Sequence, residues 1–383
     1  FQSFEVTSRP EQGPPRLAAL RNEIKAEGLD GFLVPRADVH QGEYVAPHDE
    51  RLQWLTGFTG SAGFCAALVG AAGVFIDGRY RTQVKTQIAD VYTPVAWPEV
   101  SLAEWLREQL PQGGIVGFDP WLHAAAQIEQ LNGALEGSDI EMRRCDNLVD
   151  RIWKDQPAPP VQIAKVHPIE FAGESHADKA ARLGKSLRDC GAAAAVITLP
   201  DSLCWLLNIR GADIARNPVM HGFVVLHGSG NVDLFADPAK VGQLKPHLGS
   251  TVTLHAPEAL LDYVQTLAGP VRLDKATVPV AIADVIANRV TWGDDPCALP
   301  KACKNAAEVA GSAAAHLRDG AALVELLAWL DQQPTGTVTE TQVVSRLEDF
   351  RSRDNALQDI SFETIAGTGP NGAIMHYRVT KDT

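Results

Sequence analysis

Leu17-Ala18-Ala19-Leu20-Arg21-Asn22-Glu23-Ile24-Lys25-Ala26-Glu27-Gly28-Leu29-Asp30-Gly31-Phe32-Leu33-Val34 is the stretch on which the fold turns. Leu17, Leu20 and Ile24 recur at helical spacing and share one face, and Gly28 is placed to end the helix as a left-handed cap. Gly31-Phe32-Leu33-Val34 follows as a strand, then the apolar segment Leu52-Gln53-Trp54-Leu55-Thr56-Gly57. Two more strands are predicted at Gly63 to Val69 and Gly73 to Asp77. A helix followed by short apolar strands argues α/β.

The order then recurs. Leu183 and Leu187 mark a helix ended by Gly191. Strands are predicted at Ala194 to Thr198, Gly222 to Leu226 and Val232 to Asp237, with Leu203-Cys204-Trp205-Leu206-Leu207 after the first. Trp54 and Trp205 stand 151 residues apart, Asp77 and Asp237 160 apart, and the surplus fits within Ala212 to Pro218. Two copies are too few for a solenoid, so the repeat reads as two tandem α/β domains. Gln156-Pro157-Ala158-Pro159-Pro160 has the stiffness of a linker between them. The expected division is 4–155, 161–300 and a third unit, 304–383.

That third unit opens with a helix over 305–332, with Leu323, Leu326, Leu327 and Leu330 on a buried stripe. Pro334-Thr335-Gly336 breaks it, and Thr339 with Gln342 forms a capping box for a second helix to about Arg351. Short strands are predicted at Ser361 to Ile365 and Ala373 to Tyr377, about a Gly/Pro/Asn turn. A lone hairpin is marginal, so the expectation is that this domain continues past Thr383. Phe1-Gln2-Ser3, with no initiator methionine, reads as the remnant of a cleaved tag and is set aside.

Composition narrows the function. The 383 residues are 45% apolar, enough for several cores, and carry a formal net charge of −13. That charge disfavours nucleic acid and anionic membrane surfaces, and no stretch of about 18 apolar residues is present to span a bilayer. The six cysteines are scattered, without a C-x-x-C pair. Cys65 and Cys204 lie in apolar settings and read as buried hydrophobes, which suits a reducing, cytoplasmic compartment.

Motifs narrow it further. Gly367-Thr368-Gly369-Pro370-Asn371-Gly372 matches the dinucleotide fingerprint in spelling, yet a strand-like segment follows where a helix N-terminus would have to hold pyrophosphate, so it reads as a turn. H-E-x-x-H, G-x-S-x-G and a P-loop are absent. Asp294-Asp295 reads as a solvated turn. Two residues remain. Arg79 follows a strand ending in Asp77-Gly78, where it could make a surface salt bridge or reach out from a sheet edge toward a neighbour. His376 follows the glycine-rich turn, where it could be a satisfied core histidine or a functional one.

From about residue 16 onward, the chain resembles the three-domain, cytoplasmic Xaa-Pro aminopeptidases of the creatinase and pita-bread metallopeptidase family. The resemblance rests on Ala37 to Pro47, Thr56 to Gly63, Asp77-Gly78-Arg79-Tyr80, Asn147 to Trp153, Trp205 to Gly211 and Thr368 to Tyr377. It implies two tandem creatinase-like N-terminal α/β domains, then the start of a pita-bread α+β catalytic domain. It also implies a peptide substrate with proline in second position, from which the first residue is released. The cofactor implied is a pair of divalent metal ions, manganese foremost, whose carboxylate and imidazole ligands are expected after Thr383; none is assigned here. Arg79 matches a substrate-binding arginine, and His376 a histidine that contacts substrate or developing charge; the resemblance implies a homodimer. Without its metal ligands, the chain as given is expected to be inactive. The alternative is a non-catalytic module that gates substrate or mediates dimerisation. A prolidase or creatinase relative fits less well, since those usually have one N-terminal domain.

Overall fold

Leu17, Leu20 and Ile24 are buried on one side of the helix Gly13–Ala26 in the computed structural model, which describes residues 2–382. Gly28 sits at φ +65°, and the amides of Gly28 and Leu29 donate back to the carbonyls of Lys25 and Ile24. That pair of bonds satisfies carbonyls a helix end leaves open, and it requires a left-handed residue that glycine supplies without a Cβ clash.

The helix lies against a six-stranded mixed sheet. Its strands are β1 (Gly31–Pro35), β2 (Phe64–Leu68), β3 (Ala72–Ile76), β4 (Thr93–Ala96), β5 (Gly114–Phe118) and β6 (Ile140–Arg144), in the order β4-β3-β2-β1-β5-β6. β1 and β3 run antiparallel to β2, while β1–β5, β3–β4 and β5–β6 are parallel. Successive side chains alternate between two cores: Phe32 and Val34 face the helix Gly13–Ala26, and Leu33 faces the opposite layer with Trp105, Leu106 and Ile128. A sheet covered on both faces needs apolar residues at every position, which explains the continuous apolar run of β1.

The second repeat reproduces this sheet. After the short antiparallel pair β7 (Lys165–Val166) and β9 (Ile209–Arg210), its strands are β8 (Ala194–Ile197), β10 (Phe223–His227), β11 (Val232–Phe235), β12 (Val252–His255), β13 (Val271–Leu273) and β14 (Val290–Trp292). The order is β12-β11-β10-β8-β13-β14, with the same parallel and antiparallel pairings in corresponding places. The apolar segments before Gly57 and Asn208 are short helices, Arg51–Thr56 and Pro200–Leu207, each closed by a left-handed residue.

The repeats meet about a local pseudo-twofold axis. Ala125 N–H donates to Val278 C=O, and Val280 N–H to His123 C=O. Ala126 N–H donates to Lys275 C=O, and Ala281 N–H to Pro120 C=O. Each corresponding pair of residues stands 155 apart in number. Ala125 and Val280 begin helices, so each repeat supplies carbonyls for the open N–H groups of a helix in the other. The buried His40 adds a crossing bond from its Nδ1 to Thr198 C=O, 2.9 Å.

In the third unit the helix Ala306–Asp331 is capped by Asn305 and Glu308, and Trp205 Nε1 of the second repeat donates to Glu308 at 3.2 Å. The helix Glu340–Arg351 carries the expected Thr339/Gln342 capping box. Other expectations are corrected. Leu326 is buried, but Leu323 and Leu327 are about half exposed (45% and 54%), because among the described residues the helix has only one long neighbour. No strand forms at Ser361 to Ile365 or Ala373 to Tyr377; Gly369–Ala373 is a 3₁₀ turn. Without a further strand to join, a two-stranded pair there would be marginal. Asp294 is exposed as read, yet Asp295 is buried, its Oδ1 accepting Cys297 N–H at 2.7 Å, and burial pushes its carboxyl up. Gln2 is buried against the third unit and the Ser3 carbonyl accepts a bond from Arg378, while Phe1 lies outside the described residues.

Candidate functional site

β3 ends in Ile76 and the chain turns at Asp77-Gly78. Asp77 Oδ1 accepts the N–H of Arg79 at 2.9 Å, an Asx-type turn that aims the arginine back over the carboxylate. Arg79 Nη2 reaches Asp77 Oδ2 at 2.7 Å and Nε reaches both oxygens at 3.0–3.1 Å. The hydrogen bonds from Arg79 hold the Asp77 carboxyl below its usual range, and the same bonds raise Arg79. The salt-bridge reading is therefore realised, yet the guanidinium stays one-third exposed and open to a further anion or carbonyl.

Tyr80, next in sequence, is buried. Its hydroxyl is 2.6 Å from Ser61 Oγ and its ring meets Phe58 edge-on. Two groups lie against that ring: the Arg79 guanidinium, 5.1 Å from the centroid, and the imidazole of His376, 5.7 Å centroid to centroid. The structure thus brings Arg79 and His376, about 300 residues apart, to one aromatic platform. His376 is exposed, is on no strand and has φ +52°, so the core-histidine reading is set aside. That conformation is uncommon outside glycine and is tolerated best by Asn, Asp and His; it turns the side chain out of the segment toward Tyr80.

The turn before His376 is held by Glu340, which sequence reading missed. Its carboxylate accepts Tyr377 OH at 2.6 Å, Thr368 N–H at 2.6 Å and Asn371 Nδ2 at 3.2 Å. Burial pushes Glu340 up, but these three donors outweigh it and leave the carboxyl below its ordinary value. The one signal available was an acid at the first helical position, and that reads as a helix-dipole partner. The second repeat also reaches the site: Arg216, in the surplus loop, pairs with Glu363 at 3.4 Å, and Glu363 pairs with Arg378 at 2.6 Å.

Among the described residues no group of three or more His, Cys, Asp or Glu side chains is placed to hold a metal ion. A two-metal centre does not fit this residue set.

Comparison with known proteins gives the same organisation. Creatinase/Prolidase N-terminal domain profiles match residues 16–152 and 155–308, and a profile of Metallopeptidase family M24 matches residues 302–383. A probable Xaa-Pro aminopeptidase P of Coccidioides posadasii (strain C735) is 36% identical over 399 residues, covering 99% of this chain and 61% of the relative. The Aspergillus niger counterpart is 34% identical, covering 96% and 63%. The crystal structure of the X-prolyl aminopeptidase of Caenorhabditis elegans, described as a cytosolic enzyme with a di-nuclear active site, superposes with a TM-score of 0.90 at 28% identity. That match covers 96% of this chain and 64% of the nematode chain. The chain spans about three fifths of the length of the curated relatives it matches. The matched segments thus follow one another as two tandem domains of creatinase/prolidase N-terminal type and then a segment similar to metallopeptidase family M24.

Proposed function

We propose that the chain is part of a metal-dependent Xaa-Pro aminopeptidase, which releases the first residue from peptides with proline second. The observation that carries this reading is the meeting of Arg79 and His376 on the ring of Tyr80. The first repeat thereby supplies a cation at the place where the M24 segment supplies an imidazole. In this reading Arg79 binds a carbonyl or the terminal carboxylate of the peptide, and His376 contacts substrate and the charge that develops on the scissile carbonyl. Two divalent ions, manganese the first candidate, would be held by residues other than those described.

We assign the units as 4–155, 161–300 and 304–383. The cytoplasm is the compartment proposed, supported by cysteines that are free among the described residues, three of them buried; no helix of those residues is long and apolar enough to cross a membrane. A homodimer is proposed as well, and a native mass equal to one chain would remove it. For the 383 residues alone, the lack of a metal-ligating group favours the second reading, a module that gates substrate or mediates dimerisation.

Arg79 tests the assignment of substrate contact. In the complete gene product, Arg79→Ala is expected to raise KM for an Xaa-Pro peptide by about ten- to a hundred-fold, the worth of one charge-assisted hydrogen bond, with kcat little changed. Steady-state kinetics with KM unaltered would remove Arg79 from the site.

A further inference from the structure

Residues 2–9 carry no helix and no strand until the 3₁₀ turn at Pro10, yet they touch two distant parts of the molecule. Gln2 is buried, 9% exposed. Its N–H donates to Glu348 Oε1 at 2.9 Å, its Oε1 accepts the N–H of Thr364 at 2.6 Å, and its Nε2 donates to the carbonyl of Thr364 at 3.5 Å. A primary amide carries both a donor and an acceptor, so it engages both backbone groups of one residue as a neighbouring strand would. Phe4 C=O accepts Lys381 N–H at 2.9 Å. Arg378 donates to the carbonyls of Ser3 and Glu5 at 3.0 and 2.7 Å, and Glu5 pairs with Lys381 at 2.6 Å. The Phe4 ring packs on the cluster of Val344, Tyr377 and Val379.

The far end of the same segment is pinned to the first repeat. Ser8 Oγ donates to Gly57 C=O at 2.8 Å and Gln53 Nε2 to Thr7 C=O at 3.5 Å. A Cβ on Gly57 would lie 3.0 Å from Pro10 Cα, so the chain runs in close contact there. The partners on the third unit are 363–364 and 378–381, the two flanks of the glycine-rich turn and His376. Between the end of the helix at Arg351 and Asp382 only the 3₁₀ turn is regular, and no strand pairing fixes the rest. Backbone of that kind opens locally at low free energy unless side contacts hold it.

We propose that Gln2 to Glu5 form a strap that sets His376 against Tyr80, and that Gln2 is a positioning residue of the site. The strap ties the imidazole-bearing segment to the repeat that carries Arg79, so one covalent connection spans both halves of the site. The proposal rests on the functional reading above only for its kinetic arm.

The test is Gln2→Ala in the complete gene product, read by amide hydrogen exchange and by kinetics on an Xaa-Pro peptide. Exchange within 361–381 is expected to quicken by about ten-fold or more while the amides of β1 and β8 keep their protection, as for a local opening. kcat is expected to fall several-fold with KM nearly constant, because Gln2 stands away from the substrate-binding cation. Phe4→Ala, which leaves the strap's backbone and amide bonds in place, gives a second reading if Gln2→Ala fails to fold. Unchanged exchange in 361–381 would overturn the strap, and so would equal loosening of β1 and β8. Local loosening with kcat intact would overturn the positioning role. If the parent protein cleaves no Xaa-Pro peptide, the functional reading fails, and the exchange result still decides the strap.

Discussion

His376→Ala in the complete gene product is expected to lower kcat by about 10²–10³-fold, with KM changed far less. The side chain is exposed and turned onto Tyr80 by a left-handed backbone, so its removal leaves no cavity and frees no buried partner. Alanine strains the left-handed backbone there, so the loss is read against His376→Asn, which does not. An imidazole aimed at a developing oxyanion strengthens its bond only as charge accumulates, and such a contact lowers kcat and kcat/KM together when removed. His376→Asn is an informative companion, because Asn tolerates the same backbone region and keeps a donor. It is expected to retain part of the rate. Equal activity of His376→Ala and the parent would take His376 out of the site.

A large effect is also expected on stability. His40, His123 and His221 all lie where the two repeats meet. His40 and His221 pack ring to ring at 4.6 Å, and His221 Nε2 is 3.4 Å from Asp38. His123 lies beside the pseudo-axis, with its Nδ1 3.0 Å from Asp119 C=O. Burial holds His123 at about 4. Burial, reinforced by the neighbouring His40, holds His221 at about 4 as well. His40 is lowered for the same first reason.

A histidine lowered from about 6.5 binds fewer protons folded than unfolded at pH values between its two pKa values. Stability is thus full above about pH 6.5 and falls as pH drops toward 4. For His123 and His221 together the loss by pH 5 is about 4 kcal/mol. Asp49 and Asp119, which burial raises, act in the opposite sense at the acid end. Denaturant unfolding at pH 7.5 and 5 is expected to show the fall, and His123→Asn to make it shallower by the share of one histidine among those that burial lowers. A flat profile would contradict neutral burial of these rings.

The parts of the fold that follow from local pattern were legible in the sequence. Leu17, Leu20, Ile24 and Gly28 specify a helix and its end, and the doubled order of helix and strands predicts two similar sheets. The interlock between them was not legible. It is made by backbone bonds between Ala125 and Val278 and between Val280 and His123, which carry no side-chain signature. Leu323 and Leu327 read as core because periodicity tells which face is apolar, but not whether anything covers it.

At the site, Arg79 and His376 stand out from their local settings with two readings each, and only the resemblance gives them roles; their meeting on Tyr80 joins segments no spacing rule connects. Ala373 to Tyr377 looked like a strand because its apolar residues permit one. Glu340 instead takes the hydrogen bonds of Thr368, Asn371 and Tyr377 and fixes a turn. Gln2 is set aside in the sequence because Phe1-Gln2-Ser3 without an initiator methionine reads as a tag remnant, and nothing local signals that its amide engages both backbone groups of Thr364.

The most direct test of the functional reading is release of the first residue from a peptide with proline second, with manganese added and then removed by chelation. It should be run on the complete gene product and on residues 1–383 side by side. The account predicts metal-dependent release by the complete protein and none by the shorter chain. Release by the 383 residues alone, or metal-independent release by the complete protein, would contradict it.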